Sequence, residues 1–338
     1  MKASVFVAPN LIEFDPDYPD PVIDDGFIMK VKASGICTTD LKALSGNRPG
    51  MQPPMVLGHE FSGVIVESVM DKFPSSTRVA VAPYAGCGIC DFCLDDREDL
   101  CYQKVFVSGG AFAEKVSIPK SLAEKTAWVI PDLIPYEEAA LAEPLACVIL
   151  SLRSCGWQPG QNILIVGAGF MGLLHVLLAS AWGANKILVS EPDPFRRALA
   201  EKLGANAVDP QGEKDLPKWA KTLTNGNGPD VVITAVGIPN VVESFIDVAR
   251  PGGVVHIFGG LPKSINLSVS SYTIHYKSVS LIGTSGYRTK DYILASEMIS
   301  NSLINLKPLI TDSFSLEEAA GAFAKAKQIE SIKVVVKQ

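Results

Sequence analysis

Seven cysteines stand at positions 37, 87, 90, 93, 101, 147 and 155, and four of them crowd into the segment GCGICDFCLDDREDLC. Cys87, Cys90, Cys93 and Cys101 form a C-x2-C-x2-C-x7-C array. Four thiolates at such spacings can close a tetrahedron around Zn²⁺ at Zn–S distances of about 2.3 Å. A fully thiolate-ligated zinc has no open position, so its role is structural. Unliganded thiols or an iron–sulfur cluster are the other readings of the array. A nucleic-acid zinc ribbon has the wrong charge, because Asp91, Asp95, Asp96, Glu98 and Asp99 face a single Arg97 in the same loop.

A second set is dispersed. Cys37 in SGICTTDLKAL, His59 and Glu60 in VLGHEFSGV, and Glu143 before Pro144 would pass singly for a buried thiol, a turn pair and a helix-start carboxylate. Together they supply one thiolate, one imidazole and two carboxylates. That is the donor set of a catalytic zinc that keeps a position for water or substrate. Asp40 adds a clue, since a zinc-bound histidine needs an acceptor for its other ring nitrogen.

The third set is glycine-rich. Gly167, Gly169 and Gly172 follow the apolar run NILIV, where the first allows a tight turn, the second lets backbone approach a pyrophosphate and the third lets helix pack on strand. Phe170 and Met171 lie between the second and third of these glycines and join the cofactor-binding candidates. Glu191 comes nineteen residues after Gly172, where a carboxylate accepts from the adenosine ribose hydroxyls and repels a 2′-phosphate. That favours NAD over NADP. Arg196 and Arg197 just beyond temper the preference, and Arg196 is counted among the cofactor candidates. Alone, the glycine motif would also suit a flavin- or nucleoside-binding unit without hydride chemistry.

These residues need elements to hold them. From Gln161 to Glu191 the chain reads as strand, glycine turn, apolar helix and second strand. Further β-branched runs follow at 231–235, 253–258 and 279–282, separated by helical stretches at 194–203 and 240–249. Such alternation implies an α/β fold with a doubly wound parallel sheet of about six strands. The first 150 residues, rich in strands and turns and Gly/Pro-dense at 46–54, suit an irregular all-β domain. The last fifty hold a capping-box start, Ser315 to Glu318, and the short strand IKVVVK. Too small to fold alone, they are expected to pack back on the first domain. The expected division is 1–151 with the cysteine lobe at 86–102, then 152–289, then 290–338 as a return segment.

With 338 residues, 47% of them in the apolar set and 20% charged, the chain has the composition of a folded two-domain protein rather than a disordered one. Its net charge of −6 argues against nucleic acid or an anionic membrane as partner. The opening residues lack a signal peptide's apolar core, and a cytoplasmic location is expected. An odd cysteine count without such a signal disfavours a disulfide framework. The uncharged stretch 154–185 is long enough to span a bilayer, but its six glycines and Pro159 favour a buried strand, turn and helix.

Cys37-x-Thr39-Asp40, Gly58-His59-Glu60, the four-cysteine lobe, Glu143-Pro144-Leu145, the glycine motif and Arg250-Pro-Gly-Gly253 occur in one order and spacing. In this the chain resembles the zinc-dependent medium-chain dehydrogenase/reductases, closest to the sorbitol (polyol) and threonine dehydrogenase branch. The resemblance implies a GroES-like catalytic domain with a zinc lobe, joined to a Rossmann domain. It implies one catalytic and one structural zinc per chain, with Cys37, His59 and Glu143 or Glu60 at the catalytic ion. It further implies NAD as hydride acceptor, a secondary alcohol, polyol, sugar derivative or hydroxy amino acid as substrate, and a homodimer or homotetramer. A glutamate at 143 favours the polyol branch over the alcohol dehydrogenases, which carry cysteine there.

Thr39 takes, by this resemblance, the first step of a proton relay. The family commonly continues through a histidine two residues after the aspartate, but Lys42 stands there, and an ammonium is a poor proton acceptor at neutral pH. Where polyol enzymes carry an arginine, this chain has Gly286, flanked by Tyr287 and Arg288. Lys42 and Arg288 are therefore candidates for selecting a substrate. His175 and His256 read as satisfied core residues, and His275 is a lesser candidate for facing the cleft. A competing reading is a non-catalytic NAD-binding redox sensor with structural zinc only.

Overall fold

The computed structural model describes residues 1–48, 50–213 and 215–338, so Pro49 of the Gly/Pro-dense segment lies outside the described residues. The chain divides into two compact units: Met1–Ala146 with Tyr287–Gln338, and Cys147–Gly286.

In the second unit, six strands form one sheet in the order Asn206–Val208, Lys186–Ser190, Asn162–Val166, Val231–Thr234, Val254–Ile257 and Ser280–Gly283. Every neighbouring pair is parallel. This is the doubly wound order, in which the chain runs outward one way from Asn162–Val166 and then the other way from Val231–Thr234. The strand sequences are continuous β-branched runs because helices cover both faces. Leu164, Val166, Leu188, Val232, Phe245, Ile246 and Val255 are buried in its core. The uncharged stretch forms the strand Asn162–Val166 and the helix Phe170–Ala181, and among the described residues no helix is long and apolar enough to cross a membrane.

The first unit is built on a seven-stranded mixed sheet. Its longest pairing is antiparallel, Phe27–Gly35 with Glu60–Ser68, and two register shifts bend it. The two closing strands of the chain complete this sheet. Lys333–Lys337 pairs with Phe27–Gly35, and Ile310–Ser315 pairs with Lys333–Lys337. The capping box at Ser315 and Glu318 forms, opening a 3₁₀ turn that leads into the helix Ala319–Lys325. Short helices such as Thr38–Leu44 and Lys120–Thr126 interrupt the otherwise β-rich unit.

Candidate active site

The cysteine lobe hangs on a two-stranded ribbon, Tyr84–Ala85 with Val105–Phe106. Cys90 caps the one-turn helix Asp91–Leu94, and Cys101 follows the 3₁₀ turn Glu98–Leu100. The four Sγ atoms lie within 4.8 Å of one another. Cys87 is 3.8 Å from Cys93, and Cys90 is 3.7 Å from Cys101. Sulfurs on a tetrahedron with a Zn–S radius of about 2.3 Å are roughly 3.8 Å apart, so the spacing fits zinc and is far too long for disulfides. Backbone amides support thiolates here. The N–H groups of Ile89 and Cys90 point at Cys87 Sγ, and those of Cys87 and Gln103 at Cys101 Sγ. The Ile89 amide leads in pulling the Cys87 thiol down to about 6, while burial pushes Cys93 up to about 12.

Arg288, a candidate for substrate selection, serves this lobe instead. Its Nε donates to the buried Asp99 carboxylate at 3.0 Å, and the Thr289 amide donates to Glu98 at 2.8 Å. Tyr287 is buried and stacks on Tyr84 with ring centroids 4.5 Å apart. The acidic lobe that looked wrong for phosphate thus finds its cation within the chain.

Cys37, His59 and Glu60 converge because two antiparallel strands end together. Gly35 pairs with Glu60, which places Cys37 just past one strand and His59 just before the other. Cys37 then caps the helix Thr38–Leu44. The donor atoms of Cys37, His59 and Glu60 lie within 4.8 Å of one another. Glycine at 35 leaves room for the Glu60 carboxylate, which a Cβ there would displace, and glycine is favoured at 58, where φ is +101°.

Asp40 organises this set, as its spacing suggested. Fully buried, it accepts from the Cys37 amide at 2.9 Å and the Gly58 amide at 3.2 Å, and its Oδ1 lies 3.2 Å from His59 Nδ1. That contact leaves Nε2 as the ring nitrogen for a metal. Burial opposes charge on His59, but the Asp40 carboxylate and the Cys37 sulfur outweigh it and hold the imidazole pKa well above its usual value.

The two carboxylates differ. Both oxygens of Glu60 accept from Lys333 Nζ, at 2.9 and 2.7 Å, in an ion pair buried on both sides. Lys333 also donates to the Ile36 carbonyl. Sequence reasoning missed this lysine, whose only sign is a charge at the start of the apolar strand IKVVVK. Glu143 lies outside the three-residue group, buried in the first turn of the helix Ala142–Ser154. Its charge, after burial, raises the Tyr292 pKa. Thr39 is half-buried in the first turn of its helix, and Lys42 on the same helix is exposed.

In the second unit, Gly167 turns the chain at φ +95°. A Cβ on Gly172 would lie 1.9 Å from the Gly167 carbonyl oxygen, so helix and loop touch there. Gly169 is different: a Cβ there would meet only Arg196 Nη1, at 3.9 Å. Among the described residues nothing excludes a side chain at 169, as expected where the space belongs to a ligand. Gly169 caps the helix Phe170–Ala181, whose first-turn amides are those a pyrophosphate would take. Glu191, buried, accepts from the Ala168 amide at 2.6 Å and the Asp193 amide at 2.9 Å, tying the adenosine-side carboxylate to the loop. Arg197 donates to the Glu191 and Pro192 carbonyls, which leaves Arg196 as the arginine beside the loop. His275 is exposed at the end of the helix Ser271–His275.

Comparison with known proteins gives the same picture. Residues 24–131 match the alcohol dehydrogenase GroES-like domain, and residues 171–301 match the zinc-binding dehydrogenase family. Sorbitol dehydrogenase of Bacillus subtilis (strain 168) is 34% identical, covering 99% of this chain and 97% of that protein. L-threonine 3-dehydrogenase of Pyrococcus abyssi (strain GE5 / Orsay) is 32% identical over 93% of this chain and 90% of its own length. Among solved structures, a zinc-binding dehydrogenase candidate from Sinorhizobium meliloti 1021 bound to NADP superposes with a TM-score of 0.91 at 30% identity, covering 100% of this chain and 99% of its own. With both family segments present and relatives matching nearly end to end, this chain belongs to the zinc-binding dehydrogenases with a GroES-like domain, zinc-dependent oxidoreductases of the alcohol dehydrogenase type.

Proposed function

We propose that the chain oxidises a secondary alcohol, drawn from polyols, sugar derivatives and hydroxy amino acids, with NAD⁺ as hydride acceptor. The convergence of Cys37, His59 and Glu60 around the buried Asp40 carries this reading, because a redox sensor would have no use for a second, incompletely thiolate-ligated metal site. Cys37, His59 and one carboxylate, Glu60 or Glu143, hold the catalytic zinc. Cys87, Cys90, Cys93 and Cys101 hold the structural one, giving two per chain. Residues 1–151 and 290–338 form the catalytic domain and 152–289 the nucleotide domain. We further propose a cytoplasmic homo-oligomer.

Zinc in the Cys37 site supplies Lewis acidity that lowers the pKa of an alcohol oxygen, and NAD⁺ supplies the hydride acceptor. The chain's own residues do the rest. Asp40 fixes the His59 ring and orients Cys37 through its amide. Thr39 takes the alcohol proton at its hydroxyl oxygen as it passes its own hydroxyl proton on, so that it stays neutral throughout. Since Lys42 is exposed, the proton released by the Thr39 hydroxyl passes to water rather than through a side-chain relay. Phe170, Met171 and the glycines seat the pyrophosphate, and the Glu191 carboxylate favours unphosphorylated ribose.

The NADP-bound relative and the place of Arg196 beside Gly169 make coenzyme choice the point to measure. The test is nicotinamide absorbance across a panel of polyols, sugar acids, threonine and simple secondary alcohols, with NAD⁺ and NADP⁺ in parallel. Chelator-sensitive reduction favouring NAD⁺ is the expected result. Silence of zinc-replete protein across the panel counts against the reading, and equal use of both coenzymes counts against its NAD preference.

A further inference from the structure

Two half-buried lysines that the mechanism does not use, Lys104 and Lys125, stand against the cysteine lobe. Lys125 lies in the last turn of the helix Lys120–Thr126, and its Nζ donates to the carbonyl of Gly86, the residue before Cys87, at 2.6 Å. Lys104 follows Gln103, whose amide donates to Cys101 Sγ, and its own Nζ donates to the Asp99 carbonyl at 2.8 Å. The Lys104 ammonium also lies 5.0 Å from the centre of the Tyr84 ring. Carbonyls and a ring face carry no net charge. Among the described residues neither lysine makes an ion pair, although carboxylates crowd the lobe. Asp96 is taken by Arg288 and Lys290, and Asp99 by Arg97 and Arg288.

An ammonium drawn partly out of water without a carboxylate is costly unless some other negative charge offsets it. The lobe offers one. Four thiolates around one divalent ion leave two negative charges over, and the two lysines bring two positive ones. The glycines on either side of Cys87 show how close Lys125 comes to a sulfur. The Gly88 amide donates to Cys93, and a Cβ on Gly86 would meet Cys93 Sγ at 2.9 Å. A Cβ on Gly88 would lie 3.6 Å from Lys125 Nζ, and the Gly86 carbonyl already holds that nitrogen. Covalent geometry then keeps the ammonium within about 9 Å of the Cys93 sulfur. At that range a partly buried pair of charges is screened much less than one in open solvent.

We propose that Lys125 and Lys104 are positioning residues of the four-cysteine site, their charges offsetting the excess negative charge of the thiolates around zinc and slowing release of the ion. This rests on the structural-zinc reading above and assigns to it two residues outside the ligand set. Lys125 reaches in from a helix outside the lobe segment, so the charge that retains the ion also ties the lobe to the rest of its unit.

The test is the rate at which the four lobe cysteines lose protection in the zinc-replete protein, with 1,10-phenanthroline as chelator and saturating N-ethylmaleimide as label, followed residue by residue by mass spectrometry. Both reagents are uncharged, so the lysines do not act on their approach. Lys125→Gln and Lys104→Gln keep a donor for the carbonyl but remove the charge, and each should speed labelling about 5-fold or more at low salt. Lys125→Arg and Lys104→Arg should stay within twofold of the wild type. Lys120→Gln, on the same helix but exposed and paired with Glu124, should also stay within twofold. High salt should shrink the gap between the glutamine variants and the wild type. Glutamine variants within twofold of the wild type, arginine variants as fast as the glutamine ones, or a gap that salt does not move overturns the proposal while leaving the zinc site intact. Wild-type lobe cysteines labelled at once without chelator overturn the structural-zinc reading itself.

Discussion

Asp40 shows how much one residue can organise. Its carboxylate meets two backbone amides and an imidazole nitrogen without exposure to water, so each of its acceptor sites matters. Asp40→Asn keeps the shape but turns one end into a donor facing other donors. The expected outcome is a loss of about 1–3 kcal/mol in stability and of roughly 10- to 100-fold in zinc affinity at the Cys37 site, read by chelator competition. Lys333 is the opposite case for legibility. Asp40 stands three residues from Cys37, and its role follows from that spacing. Lys333 meets Glu60 across 273 residues of chain, so no local pattern could pair them. Lys333→Met strands a buried carboxylate and should destabilise the protein by about 3–5 kcal/mol, whereas adding Glu60→Gln should recover much of that loss in urea unfolding.

Among the elements, the glycine loop gives the cleanest contrast. A methyl at Gly172 collides with the Gly167 carbonyl, so Gly172→Ala should lower both the melting temperature and dinucleotide affinity. At Gly169 the chain leaves room. Gly169→Ala should therefore melt within about 1 °C of the wild type, as surface substitutions do, yet bind dinucleotide at least 10-fold more weakly. Equal melting shifts for the two variants would show that Gly169 also serves packing. The loop, its strand and its helix were readable in sequence because hydrophobic period and glycine spacing are local signals. The cysteine lobe was readable for the same reason. Its attachment through Arg288 and Tyr287 was not, because those contacts join segments about two hundred residues apart, and Arg288 looked available for a substrate until its bond to Asp99 was seen.

At the scale of the whole molecule, pH acts on the two units in different ways. His175 and His256 have folded pKa values below the unfolded value, so the unfolded chain takes up protons first as pH falls. Stability is therefore lost below about pH 6.5, by about 2 kcal/mol per histidine between pH 7 and pH 5. His175→Gln should show a shallower decline in unfolding midpoint over that range. His59 has a raised pKa, and metal binding requires its neutral ring. The stability its charged form gives the metal-free protein is complete below about pH 6.5 and fades as pH rises through the raised value. Zinc affinity at the Cys37 site should run the other way, falling as pH drops through that same raised value. The most direct test of the account is the zinc content of purified, zinc-replete protein, counted by mass spectrometry beside His59→Ala. Two ions per chain in the wild type and one in the variant, with alcohol-dependent NAD⁺ reduction lost, is the predicted result. A single ion in both proteins would contradict it and leave the four-cysteine lobe as the chain's sole zinc site.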